Sequence, residues 1–180
     1  MKKGAHREIP GVFERLIAKK ILEAAGPEFG PADCRRVPMS GADKYYDQGD
    51  LIVSEGLRKL FPFCVECKHV KNFRLEHVFI GVKDFFDYHR QVLDACSREG
   101  NKRTPMVVIR GQGGLIFAAV PSLTMVSMKY KLPDTAAVVS YRTTHLRWFM
   151  TDLDSMLQAI FSKPAAPFQP VFTREAAQTA

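Results

Sequence analysis

Apolar positions change period several times along the chain, and each change marks an element. Val12, Phe13, Leu16, Ile17, Ile21 and Leu22 recur at three- and four-residue intervals, which predicts a helix over Gly11–Ala25. Pro10-Gly11 starts it and Gly26-Pro27 stops it. A Gly/Pro-rich connection leads to a first strand at Cys34–Met39, and Ser40–Gly49 is a loop by composition. Asp50–Ser54 and Phe63–His69 predict a second and a third strand, with Ser54–Lys59 as a hairpin turn between them. Phe79–Ser97 predicts a second long helix, its apolar face built from Ile80, Val82, Phe85, Phe86, Val92, Leu93 and Cys96. Strands follow at Met106–Arg110 and Leu115–Val120, joined by a Gly-Gln-Gly-Gly hairpin turn. Ala136–Tyr141 predicts one more strand, and Leu146–Phe161 a last helix. From Ser162 onward the chain turns to Pro, Ala and Gln and reads as a loose tail.

The resulting order is helix, three strands, helix, strand, strand, an α/β pattern with a C-terminal extension. At 180 residues one domain with a sizeable core is expected. The expected division is a single domain over 1–162, with its core at about 11–120 and the extension at 121–162, and a flexible tail at 163–180. No apolar run is long enough to span a bilayer, and the N-terminus lacks the apolar stretch of a signal peptide. A cytoplasmic location and no membrane partner are expected.

Two positions break the apolar pattern of the third strand. Glu66 and Lys68 lie two residues apart and so share one face of the sheet. A carboxylate and an amine inside an apolar strand are costly unless something uses them. Should the second and third strands pair as a hairpin, Asp50 approaches Glu66. Two carboxylates and a lysine then converge, a set suited to a hard divalent cation and an activated water.

The four cysteines do not point to zinc. Cys64 and Cys67 form C-x-x-C, but residues three apart on a strand face opposite sides and cannot hold one ion together. Buried free thiols are the expectation. Gly-Gln-Gly-Gly fails as a phosphate loop because no helix with Lys-Ser/Thr follows it. His77 and His89 lack a second ligand at metal-site spacing and are expected at the surface or facing a polyanion.

The spacing Asp50…Glu66-Cys67-Lys68 resembles the signature of the PD-(D/E)xK nuclease superfamily, with Gly49 where proline is often found. The resemblance covers roughly Gly11 to Val120 and implies a restriction-endonuclease-like αβββαβ core, a mixed central sheet flanked by helices. It implies that Asp50, Glu66 and the Cys67 carbonyl hold Mg²⁺, with Mn²⁺ as a substitute. Lys68 then orients the attacking water and stabilises developing charge. Glu14, after Gly11 and Phe13 in the first helix, takes the place of a glutamate at the edge of the metal site. Tyr88…Gln91 in the second long helix resembles an aromatic–glutamine pair of the resolvase and phage nuclease groups, which gives Gln91 a role at the substrate phosphate. The pattern is similar above all to phage and archaeal-type Holliday-junction resolvases, in which a basic strand and a Ser-Gly loop lie over DNA.

Charge adds a partner. The net charge is +7, and basic residues cluster along the chain, as expected for a surface that meets a polyanion. Arg35, Arg36, Ser40, Lys44, Lys71, Arg74, Lys102 and Arg103 are the expected DNA contacts. The expectation is a metal-dependent DNA endonuclease acting on branched or duplex DNA, a Holliday-junction resolvase or related phage nuclease, working as a homodimer. An end-directed nuclease and a non-catalytic DNA-binding protein on the same fold are the alternatives.

Overall fold

The computed structural model describes residues 11–38, 49–70, 73–80, 83–98, 102–143 and 146–162. Helix α1 (Val12–Ala25) leads into strands β1 (Cys34–Arg36) and β2 (Leu51–Val53). A short helix α2 (Glu55–Arg58) precedes β3 (Phe63–His69), and helices α3 (Glu76–Phe79) and α4 (Lys83–Arg98) follow it. Then come β4 (Thr104–Arg110), β5 (Ile116–Pro121), α5 (Ser122–Ser127), β6 (Val139–Arg142), β7 (Arg147–Asp152) and α6 (Leu153–Phe161).

Five strands form one mixed sheet in the order β3-β4-β5-β7-β6. β3 and β4 are parallel, with Glu66 opposite Val107 and Lys68 opposite Ile109, and the remaining pairs are antiparallel. β1 and β2 make a separate antiparallel pair. The restriction-endonuclease-like α/β class is therefore the observed one. The Gly111–Gly114 segment does turn β4 into β5, through a single 3-10 turn.

The sheet divides the core in two. Phe63, Val65 and Cys67 face a layer built from α1 and α6, with Phe13, Ile17, Ile21, Leu153 and Leu157. Cys64 faces the other layer, with Phe85, Val92 and Cys96 of α4 and Trp148 of β7. The two C-x-x-C thiols thus belong to different cores, as strand geometry requires. All four cysteines are free and buried. Burial pushes the Cys34 thiol up to about 12 and the Cys67 thiol well above its usual value, so neither is a thiolate at neutral pH.

Three expectations are corrected. Leu146–Phe161 is not one helix. Residues 147–152 alternate, with Trp148 and Met150 inside and Arg147 exposed, and pair with both β5 and β6. Helix begins only where the Asp152 carboxylate accepts the Ser155 N–H at 2.8 Å, a side-chain cap. Ser54–Lys59 is no hairpin turn. Ser54 caps α2 by accepting the Leu57 N–H. The third concerns His89, which is 1% exposed. Its Nδ1–H donates to the Phe85 carbonyl at 2.7 Å, and its Nε2 accepts from the Tyr141 hydroxyl at 2.6 Å. The Trp148 ring closes over it at 4.3 Å. Among the described residues, no helix is long and apolar enough to cross a membrane.

Burial lowers the His89 pKa to about 4, so the folded chain keeps it neutral where the unfolded chain protonates it. Its stabilising contribution is complete above the unfolded value of 6.5 and declines as pH falls toward 4. The stability advantage of the wild type over His89→Gln should therefore shrink by about 3 kcal/mol between pH 7 and pH 4, at about 1.4 kcal/mol per pKa unit. Urea titrations of both chains across that range check it. An advantage independent of pH would contradict it.

Candidate active site

The site forms on the free edge of β3. β4 occupies one side of that strand, and the other side receives the chain at Gly49 through an isolated parallel bridge to Val65. The Asp50 N–H donates to the Val65 carbonyl at 2.8 Å, and the Asp50 carbonyl accepts from Val37 N–H at 3.0 Å. The Asp50 Oδ2 then takes the next outward amide of β3, Cys67 N–H, at 2.7 Å. Backbone and side chain together pin this aspartate against the strand. The hairpin between the second and third strands that the sequence suggested does not exist. A parallel approach brings Asp50 to Glu66 instead.

The two carboxylates expected to converge do so. Burial pushes the Asp50 carboxyl up to about 7, and the Glu66 charge adds to this. The Cys67 N–H and the Lys68 ammonium oppose the rise, while Glu14 reinforces it. Glu66 is 9% exposed. Its Oε1 lies 2.5 Å from Lys68 Nζ. Burial works to lower the Lys68 pKa, but the hydrogen bond and charge of Glu66, then the charge of Asp50, outweigh it and the value is raised. Lys68 is a fixed cation here.

Both faces of β3 contribute. Glu66 and Lys68 share the face of Cys64, toward α4, where the Lys68 ammonium sits 5.5 Å from the centre of the Tyr88 ring. α1 packs on the opposite face, with Phe13 6.0 Å from the His69 ring. From there Glu14 acts on both Asp50 and Cys67. A site at a strand edge can be reached from two faces, which is how Glu14 and Glu66 come to bear on one aspartate.

Gln91 lies one turn beyond Tyr88 on α4 and is exposed. Of the expected DNA contacts, Arg35 and Arg74 are exposed and Arg36 is half-buried against Gly11 at the start of α1. Ser40, Lys44 and Lys71 lie outside the described residues. Lys102 is exposed but precedes Thr104, which pairs with Phe63, so it lies at the end of β3–β4 away from Lys68. Arg103 is a correction. It is 3% exposed and points Nη1 at the Phe63 carbonyl, 3.5 Å away, so it cannot serve as a surface phosphate contact.

Three residues near the site were missed by sequence reasoning as site residues. The Tyr88 ring lies under the Lys68 ammonium, and the available signal was its place as the aromatic three residues before Gln91. Arg110 pairs with His69 beside the site, a neighbour that only the parallel register reveals. Gly49 has a left-handed backbone, φ +71°.

Residues 10–163 match the model of a family described as "Phage putative PDDEXK endonuclease". The chain belongs to that family. It is a family of phage nucleases, for which DNA is the implied substrate and divalent metals are the usual cofactors. No curated protein and no solved structure gives a match.

The donor set fits such a metal. Among the described residues, no group of three or more His, Cys, Asp or Glu is arranged as a ready-made cage. The family member instead offers two carboxylates, Asp50 and Glu66, with the Cys67 carbonyl directly after Glu66 in the chain and Glu14 near enough to act on Asp50. An oxygen-only set with few protein ligands suits a hard cation that keeps several waters. Glu66 and Glu14 both raise the Asp50 carboxyl, an excess of negative charge that a cation would neutralise.

That crowding should cost stability. With chelator at pH 8, Asp50→Asn keeps an acceptor for the Cys67 N–H and removes the charge, so it should unfold at a higher denaturant midpoint than the wild type. Asp50→Ala abandons the amide and should fall below Asp50→Asn. Denaturation of the three chains checks both orders, and a less stable Asp50→Asn would contradict the electrostatic account.

Proposed function

We propose that this family member is a metal-dependent endonuclease that hydrolyses DNA phosphodiester bonds at the edge of β3. The observation that carries the reading is the Asp50 carboxylate held on the Cys67 amide, beside a paired Glu66 and Lys68. A protein that only binds DNA has no need for an aspartate crowded by Glu66 and Glu14 beside a half-buried lysine.

Asp50, Glu66 and the Cys67 carbonyl would hold Mg²⁺ or Mn²⁺, with Glu14 completing the anionic surround. When bound, the cation would act as a Lewis acid toward the scissile phosphate and favour ionisation of the attacking water. Glu66 and Asp50 set the geometry against which the phosphate is placed. Lys68, kept charged by Glu66, presents a fixed ammonium to the negative charge that develops on phosphorus oxygens. A raised pKa makes it an electrostatic stabiliser and not a proton acceptor at neutral pH. Tyr88 holds the lysine from below, and Gln91 stands one turn further along α4 to meet a phosphate oxygen. Arg35, Arg36 and Arg74, joined by Ser40, Lys44 and Lys71, would track the backbone.

At the finer level, a Holliday-junction resolvase or a related structure-specific phage nuclease is favoured, working as a two-fold homodimer that cuts two strands symmetrically. This rests on the order of Glu14, the basic strand, the Ser-Gly loop, Asp50 and Gln91 along the chain.

Two variants separate cation binding from chemistry. Glu66→Gln should weaken Mn²⁺ binding and abolish cleavage of labelled duplex and four-way junction. Lys68→Ala should keep the cation and lower the single-turnover rate by about 10²–10³, the usual cost of one preorganised stabiliser. DNA affinity should survive both and fall linearly on a log–log salt plot, because it rests on many phosphate contacts. Cleavage by Lys68→Ala at the wild-type rate would remove the mechanism. Equal rates on junction and duplex would remove the resolvase assignment alone.

A further inference from the structure

Gly49 occupies a position that no side chain could share. Its φ of +71° lies in the left-handed region, where a β-carbon costs roughly 1–2 kcal/mol. A Cβ placed there would meet the Val65 carbonyl oxygen at 2.5 Å and Cys64 Sγ at 3.1 Å. Val65 and Cys64 are fully buried in β3, and the Val65 carbonyl is already held by the Asp50 N–H. The strand cannot give way without moving Glu66, which follows Val65 directly. Any residue larger than glycine must therefore push the incoming chain off the edge of β3.

The distances that define the site begin at this contact. Gly49 bridges to Val65, Asp50 N–H reaches the Val65 carbonyl at 2.8 Å, and the Asp50 carboxylate reaches the Cys67 N–H at 2.7 Å. A displacement at Gly49 passes straight to the Asp50 carboxylate.

We propose that Gly49 is a positioning residue of the catalytic centre: having no side chain, it lets the chain lie close enough to β3 for Asp50 to reach the Cys67 amide and stand beside Glu66. The proposal rests on reading Asp50 and Glu66 as the cation-binding pair. It also explains a departure from the superfamily signature, which often has proline at this place. Proline fixes φ near −65° and cannot adopt +71°. The signature's usual residue is therefore excluded here by the backbone, and restoring it should do more damage than alanine.

The test uses the full chain carrying Gly49→Ala, Gly49→Pro or Gly49→Asn, the last tolerating positive φ and so isolating the steric contact. Mn²⁺ affinity, DNA affinity in chelator, single-turnover cleavage and denaturant stability are measured on each. Gly49→Ala should weaken Mn²⁺ binding at least tenfold and slow cleavage on the order of 10²-fold, the usual effect of a displacement near 1 Å. Gly49→Asn should do the same, Gly49→Pro should lose more, and DNA affinity should hold. In an Asp50→Asn background, Gly49→Ala should change Mn²⁺ affinity no further, whereas a merely structural role would lower stability in both backgrounds without this dependence. Wild-type cation affinity in Gly49→Ala, or an equal loss in the Asp50→Asn background, overturns the proposal. So does outright unfolding of both Ala and Asn variants, since Gly49 would then serve the fold and not the site. If Asp50→Asn alone binds Mn²⁺ and cuts like the wild type, the failure belongs to the functional reading and not to Gly49.

Discussion

The hydrogen bond from the Cys67 amide to the Asp50 carboxylate joins the two parts of this nuclease. On one side of it stands the five-stranded sheet, and on the other the small β1–β2 pair, which is bridged to β3 where Gly49 meets Val65 and packs Leu51 and Val53 into the same core as Phe63 and Val65. A strand edge leaves outward N–H groups that must find partners. Here the first contact is made by backbone and the next by a carboxylate. The Val65 carbonyl and the Cys67 N–H are satisfied, and an anion is fixed at a defined height on β3 beside Glu66.

The fold around this bond separates its tasks by face. The α1–α6 layer gives β3 a rigid apolar backing through Phe63, Val65 and Cys67. The α4 layer supplies Tyr88 beneath Lys68. Carboxylates crowd at the edge between the layers, and Asp50 is held far from its ordinary pKa. That crowding works against stability and would favour a cation at the candidate site, an exchange of stability for function common at catalytic centres.

Much of the fold was legible in the sequence where pattern and boundary signals agree. Phe63–His69 is a strand over its whole expected length because a largely apolar run, interrupted only by Glu66 and Lys68, starts directly after Pro62. α1 follows its three- and four-residue periodicity to the Gly26 stop. Leu146–Phe161 misled because Leu146, Phe149, Met150 and Leu153 satisfy a helical period while Trp148 and Met150 also satisfy an alternating one. Pairing with β5 and β6 decides for strand over its first part. Of the candidate site residues, Asp50, Glu66 and Lys68 were visible as polar groups at or inside apolar strands, while Glu14 came only from the family resemblance. Their manner of approach was not visible. Parallel pairing across a short helix, the buried state of His89 and Arg103, and the left-handed Gly49 all depend on tertiary contacts that local pattern does not encode.

If the edge of β3 is a cation-dependent catalytic centre, its amides must sense the cation directly. Nuclear magnetic resonance of the ¹⁵N-labelled chain, titrated with Mg²⁺, reads this at single residues. The Cys67 amide, held on the Asp50 carboxylate, should shift strongly, along with Asp50 and Lys68, and saturate at the Mg²⁺ concentration that saturates DNA cleavage. Amides of Lys102 and Arg103, at the other end of the sheet, should stay in place. A chain that cleaves DNA in Mg²⁺ while the Cys67 amide remains unmoved would place the chemistry elsewhere and contradict the account.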